Sequence, residues 1–222
     1  MKAMLLAAGR GERMRPLTDS LPKPLLAVGG KPLIVHHIEK LKAAGVRELV
    51  INHAWLGHQL VAALGDGSEL GVSIQWSAEE SALETAGGIV QALPLLGDEP
   101  FLVINGDTWL DLDYAALVAR PLGDDLAHLW LVPNPPQHPH GDFSLGGDRV
   151  LDAPALTFSG VGLYRPAAFA ELAPGARKLA PLLRQWMAEG RVGGSLLAGE
   201  WRDIGTVARL RELDDQLQGR TH

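Results

Sequence analysis

Lys2-Ala3-Met4-Leu5-Leu6-Ala7-Ala8-Gly9-Arg10-Gly11-Glu12-Arg13 carries an apolar run directly into two glycines and two arginines. The run from Ala3 to Ala8 is far too short to span a bilayer and meets Gly9-Arg10-Gly11 rather than a cleavage site, so it reads as a buried first strand. Glycines placed after such a strand let backbone N–H groups approach a phosphate with no side chain between. The arginines add charge and forked donors.

Outward from this strand, short apolar runs alternate with helical patterns. Pro32 to Ala44 reads as a helix, with Leu33, Ile34, Ile38 and Leu41 at helical spacing and Gly45 as a stop signal. Leu49 to Asn52 is a strand, Leu56 to Leu64 a helix, Val72 to Trp76 a strand, Thr85 to Leu93 a helix and Phe101 to Ile104 a strand. This βαβ rhythm predicts an α/β fold: a Rossmann-like mixed, mostly parallel sheet sandwiched by helices. Strands at Leu126 to Val132 and Thr157 to Tyr164 flank a Pro-, His- and Gly-rich loop from Pro133 to Asp148, and helices near Leu179 to Glu189 and Thr206 to Gln218 close the chain. With no repeat, linker or charge block, one domain is expected over 1–222.

Nearly half of the 222 residues are apolar, enough for a substantial core. A formal charge of −6 and a pI near 5.7 argue against a broad basic face for nucleic acid or an anionic membrane, while leaving room for a small anionic ligand held by a few cations. The absence of cysteine excludes disulfide and thiolate chemistry, and cytoplasm is the expected compartment.

Two familiar phosphate loops fail against the glycine segment. There is no Gly-Lys-Ser/Thr ending, and Met14 stands where a dinucleotide fingerprint wants a third glycine or alanine. Pro22-Lys23-Pro24 instead holds one lysine between two prolines, which limits the backbone and presents the ammonium at a defined place. Further on, Phe101 to Asn105 is an apolar strand followed by Gly106-Asp107, and Trp201-Arg202-Asp203-Ile204-Gly205-Thr206 offers a second aspartate before a helix. Each aspartate could simply cap the element after it. Two carboxylates together with phosphate oxygens and water would satisfy Mg²⁺.

The segment from Leu6 to Leu26 resembles the signature of sugar-phosphate nucleotidylyltransferases, L-A-A-G-x-G-x-R-x-x-P-x-T followed by P-K-x-L, and the resemblance extends to about Arg209. It implies a nucleotide-binding part to about residue 110 and a sugar-binding part over about 111–205, with Ala8, Gly9, Gly11, Glu12, Arg13 and Lys23 on the nucleotide and Arg13 and Lys23 catalytic at the reacting phosphates. The family's G-D and W-x-D-x-G-T patterns stand unaltered, which implies Mg²⁺ on Asp107 and Asp203 and places Asn105 beside the sugar phosphate. Leu83-Glu84-Thr85-Ala86-Gly87 is similar to the family's L-G-T-A-G near the nucleobase, with Glu84 in place of the first glycine; Glu79, Thr85 and Gly87 are the implied base contacts.

His138-Pro139-His140-Gly141-Asp142-Phe143 could be read as a metal cluster, but its prolines favour a sugar-facing loop in which Gly141 and Asp142 meet hydroxyls or an N-acetyl group. Ser159 to Tyr164, with Gly160, resembles the strand lining the family's sugar pocket. Longer relatives carry Glu-Lys-Pro before that strand; Asp152-Ala153-Pro154 here leaves the sugar phosphate to find its cation elsewhere. The remaining histidines, His36 and His37 among them, read as structural, and the tryptophans as packing residues. The short chain, Leu83 to Ile89 and the His-Pro-x-Gly-Asp-Phe loop are most similar to members that join UMP from UTP to N-acetylmuramic acid 1-phosphate in cell-wall recycling. Guanylyl transfer to mannose 1-phosphate, thymidylyl or uridylyl transfer to glucose 1-phosphate, and a silent sugar-nucleotide sensor are the alternatives.

Overall fold

The computed structural model describes residues 1–219. Strand β1 (Ala3–Leu6) enters the glycine loop, which is followed by the single-turn α1 (Leu17–Ser20), the hairpin of β2 (Ala27–Val28) and β3 (Lys31–Pro32), and α2 (Leu33–Ala43). Strand β4 (Glu48–His53), α3 (Gly57–Leu64), β5 (Ser73–Ala78), α4 (Glu84–Leu96) and β6 (Phe101–Asn105) continue the alternation. The second half holds β7 (Thr108–Asp111), α5 (Ala115–Val118), β8 (Ala127–Val132), β9 (Phe143–Gly146), β10 (Arg149–Tyr164), α6 (Leu179–Ala188), β11 (Val192–Leu196), β12 (Glu200–Asp203) and α7 (Val207–Gly219).

The main sheet runs β11-β8-β10-β6-β1-β4-β5, with β9 added on β10. Strands β6, β1, β4 and β5 are parallel, as are β11 and β8, whereas β10 runs antiparallel to both β8 and β6. The expected mixed sheet between helices is what the chain forms. Alternation along each strand divides the core. Ala3, Leu5, Leu102 and Ile104 pack under α2 and α3, while Met4, Phe101 and Val103 pack under α4 and α6. Leu179, Leu182, Leu183 and Trp186 form the buried stripe of α6, each large side chain contributing about 1.5–3 kcal/mol on burial.

A third cluster joins the two ends of the chain. Met14, Leu26, Val28 and Leu33 pack against Trp109, Ile204, Leu210 and Leu213. Met14 is fully buried there, so the residue that breaks the dinucleotide fingerprint fixes the glycine loop to the C-terminal helix.

Several elements were illegible in the sequence for physical reasons. Strand β1 stops at Leu6 because the Ala7 amide donates to Asn52 Oδ1 at 2.9 Å. Strand β10 begins well before Thr157, but Leu151 to Ala155 are exposed and lie at a register shift in the pairing with β9 between Leu151 and Leu156, so no buried alternation marks them. Gly193 and Gly194 weaken the strand pattern of β11; a Cβ on Gly194 would lie 2.4 Å from Val150. Strands β7 and β12 pair only with each other.

Candidate active site

The carboxyl ends of β1, β4, β5 and β6 lie side by side in the sheet, and the residues at or just beyond them form one concave edge. Ligands of open parallel sheets sit on this edge because loops of adjacent strands diverge there. A cavity of about 320 Å³ is walled by Ala8 and Gly9 from the first loop, Asn52, Glu79, Thr85 and Asn105. Asn52 is its strut: Oδ1 accepts from Ala7 N, and Nδ2 donates to Glu79 Oε1 at 2.7 Å. Glu79 is itself buried, and its second oxygen accepts from Leu83 N at 3.1 Å. One buried amide and one carboxylate thereby join three of the loops. The sequence marks Asn52 only as a strand end; a polar residue closing a buried parallel strand is the signal that could have found it.

The start of α4 is shaped by close approach. A Cβ on Gly88 would lie 2.7 Å from Glu79 Oε1, and one on Gly87 would lie 2.4 Å from Gly175 O. Gly87 therefore packs the segment around Gly175, while Thr85 faces the cavity. Glu84 has φ +58°, a left-handed conformation that disfavours any residue except glycine. Its exposed side chain borders the cavity.

A second cavity, about 220 Å³, lies under the glycine loop and is bordered by Gly9, Gly11, Glu12, Arg13, Lys23 and Asp107 among others. A Cβ on Gly9 would meet nothing within 4 Å, so the loop opens directly onto space. Gly11 has φ +68°, and a Cβ there would press on Thr18 at 2.9 Å; the Thr18 hydroxyl donates to Gly11 O at 2.8 Å. Among the described residues the amides of Gly9, Arg10 and Gly11 have no acceptor, and the exposed Arg13 guanidinium has no ion-pair partner. Lys23 is buried and its Nζ donates to Asp107 Oδ2 at 2.6 Å.

A third cavity of about 300 Å³ continues toward β10 and β12, bordered by Arg13, Asn105, Asp107, Ser159, Trp201 and Asp203 among others. Asp107 borders all three cavities. The antiparallel pairing of β7 with β12 sets Asp203 opposite Thr108, the residue after Asp107. Thr108 is in turn pinned from behind: its carbonyl lies 2.8 Å from His37 Nε2, whose Nδ1 lies 2.7 Å from the Tyr114 hydroxyl. Burial pushes the His37 imidazolium down to a pKa of about 4, so the ring is neutral, with Nε2–H donating to Thr108 and Nδ1 accepting from Tyr114. Asp203 Oδ2 accepts from Arg209 Nη1 at 2.7 Å. Gly205 is where these charges meet, since a Cβ on it would lie 3.0 Å from both Arg13 Nη2 and Asp203 Oδ2 and 3.1 Å from Arg209 Nη1.

The remaining sugar-side residues do not themselves border these three cavities. Asp142 ties its loop to β10, accepting from Phe158 N at 2.8 Å and lying 3.0 Å from His138 Nε2. Gly141, at φ +73°, packs against Asn134 and the Leu156 carbonyl. Gly160, at φ +80°, lies under the Asn105 side chain; a Cβ there would be 2.4 Å from Nδ2. Among the described residues no three His, Asp or Glu side chains are grouped to hold a metal ion, the His138 loop included. Trp201, read as a packing residue, borders the third cavity and donates from Nε1 to Ser159 O at 2.8 Å.

Known proteins resemble this chain in sequence and in fold. The nucleotidyl transferase family matches residues 2–141. The chain is 58% identical over 96% of both chains to an N-acetylmuramate alpha-1-phosphate uridylyltransferase of Neisseria meningitidis, and 37% identical over 91% of both to a protein of the same name from Caulobacter vibrioides. A glucose-1-phosphate thymidylyltransferase of Streptomyces griseus is 31% identical over 96% of this chain and 65% of its own. Among solved structures, a Bacillus anthracis chain described as a glucose-1-phosphate thymidylyltransferase superposes with a TM-score of 0.88, at 24% identity, over 98% of this chain and 95% of that one, and so shares the fold.

Proposed function

The chain belongs to the nucleotidyl transferase family, and from this membership and the geometry of its site we propose that it transfers UMP from UTP to N-acetylmuramic acid 1-phosphate, forming UDP-N-acetylmuramic acid and pyrophosphate. The observation that carries the reaction type is the position of Asp107, paired with Lys23 and bordering all three cavities. The likeness to the two uridylyltransferases over nearly their whole length supports the choice of base and sugar.

The cavity between Gly9, Asn52 and Thr85 takes the nucleoside, the glycine loop the triphosphate and the third cavity the sugar phosphate. An oxygen of the sugar phosphate attacks the α-phosphorus of UTP; a P–O bond forms there and the bond to the β-phosphate bridge breaks, releasing pyrophosphate. The nucleophile is already an anion, so no general base is needed, and no covalent enzyme intermediate forms. Catalysis consists of offsetting the repulsion between two anions and aligning them. The amides of Gly9 to Gly11 and the Lys23 ammonium serve the triphosphate. Arg13 borders both the loop cavity and the third cavity and supplies the cation that the absent Glu-Lys-Pro lysine would have given the sugar phosphate.

Two neighbouring carboxylates on a shared cavity are hard-oxygen donors of the kind Mg²⁺ takes from a protein when substrate phosphates and water complete its shell. Asp107 and Asp203 would hold the ion, which when bound neutralises phosphate charge. A cytoplasmic place in salvage of cell-wall sugars accords with these substrates, and no helix among the described residues is long and apolar enough to cross a membrane.

Pyrophosphate release measured across a panel of nucleoside triphosphates and sugar 1-phosphates tests the reading. UTP with N-acetylmuramic acid 1-phosphate should give the highest kcat/KM. A higher value for GTP with mannose 1-phosphate or dTTP with glucose 1-phosphate would replace it, and no turnover of any pair would favour a sensor.

A further inference from the structure

Beside the third cavity lies a larger one of about 480 Å³, which shares with it Pro135, Gln137, Trp201 and Asp203. Its lining is mostly apolar, with Pro133, Pro135, Pro136, Leu197 and Trp201, and the carboxylates of Asp203 and Glu212 border it together with two arginines of unequal availability. Arg202 is surrounded: Nε donates to Glu200 at 2.7 Å, Nη2 donates to Gln216, and Glu212 lies 3.7 Å from Nη1. Arg209 has one partner. Only its Nη1 is engaged, on Asp203, while Nε and Nη2 have no acceptor among the described residues, and the side chain is 27% exposed.

We propose that this adjoining cavity receives the acidic substituent of the acceptor sugar and that Arg209 is the group that recognises its carboxylate. The assignment rests on the function proposed above. N-acetylmuramic acid differs from N-acetylglucosamine by a lactyl ether ending in a carboxylate, so selecting it needs a cation outside the phosphate sites. With Nε and Nη2 both free, the guanidinium keeps one open edge that matches a carboxylate through paired hydrogen bonds, which an ammonium cannot reproduce. The proline and tryptophan walls suit the methyl group and the C–H face of the sugar ring. The anchoring of Arg209 on Asp203 holds the fork in place, so recognition requires little ordering of the side chain.

The test compares N-acetylmuramic acid 1-phosphate with its neutral lactyl amide in the unaltered enzyme and in Arg209→Gln. The unaltered enzyme should prefer the acid by about 10- to 100-fold in kcat/KM, and the substitution should reduce that preference to about 2-fold or less. If Arg209 served only to position Asp203, both substrates would fall together and the ratio would not move, which overturns the assignment. Gln137→Glu provides a second reading should Arg209→Gln fail to fold: a carboxylate on the shared, exposed wall should slow the acid several-fold more than the amide, and equal effects count against the cavity. Failure of the unaltered enzyme to turn over the muramate substrate, with another sugar phosphate reacting, would instead overturn the proposed function and this assignment with it.

Discussion

Lys23 Nζ lies 2.6 Å from Asp107 Oδ2, across 84 residues of sequence, joining the proline-bracketed loop to the end of the central strand β6. The lysine side chain is 8% exposed and the aspartate 38%, so the ammonium is buried and the carboxylate faces the cavities. Lys23→Ala should reduce kcat about 10²- to 10³-fold with a smaller change in KM, as expected when a charge on the reacting phosphates is lost. Steady-state kinetics at saturating UTP decide it, and a kcat within threefold of the unaltered enzyme would remove Lys23 from the reaction.

Asp203→Asn keeps a hydrogen-bond acceptor for Arg209 while removing a negative charge. The Mg²⁺ concentration giving half-maximal turnover should rise at least about tenfold. Binding of Mn²⁺ as a paramagnetic probe in the presence of UTP should weaken in parallel. Unchanged metal binding would leave Asp203 a partner of Arg209 alone.

Asn52→Ala should destabilise the fold by about 2–4 kcal/mol, since it leaves the Ala7 amide and the Glu79 carboxylate without the partners they now have. Because the same two contacts shape the cavity proposed for the nucleoside, KM for UTP should rise as well. Urea denaturation and initial rates check the two effects separately.

The neutral His37 makes stability pH-dependent. Its folded pKa is about 4, whereas the unfolded chain takes up the proton near pH 6.5. The contribution is complete above pH 6.5 and declines as pH falls toward 4, by about 1.4 kcal/mol per pH unit. The difference in unfolding free energy between the unaltered protein and His37→Gln should therefore narrow between pH 6.5 and 4.5. A difference constant over that range would show that His37 is protonated in the folded protein.

Glu84→Gly should raise stability by up to about 1 kcal/mol, because relief of the left-handed backbone exceeds the extra chain entropy of glycine. A thermal melt measures it, and a lower Tm would show that the glutamate side chain stabilises the folded protein by more than its backbone costs.

Much of this was legible along the chain. The alternation of Ala3, Met4 and Leu5 between two sheet faces, the helical spacing in α2 and the polar residues after β6 are local signals, and the elements form where they point. The role of Asn52 was not legible, because it depends on hydrogen bonds to residues 45 and 27 positions away. His37 reads as a structural histidine from its helix and is one, yet that it supports the residue beside Asp107 follows only from the packing of α2 against β7.

By itself the sequence determined the main alternation of strands and helices and the open, glycine-bearing turn after β1, because periodicity and turn preference act over a few residues. The tertiary structure alone decided how the charges meet. The buried Met14 cluster draws the C-terminal helix to the first loop, and the pairing of β7 with β12 sets Asp203 beside the turn that carries Asp107. Neither strand of that ribbon has a pattern that names its partner, since pairing is settled by which buried surfaces come together, and so the glycine loop acquires its aspartates and its arginines only when the chain is folded.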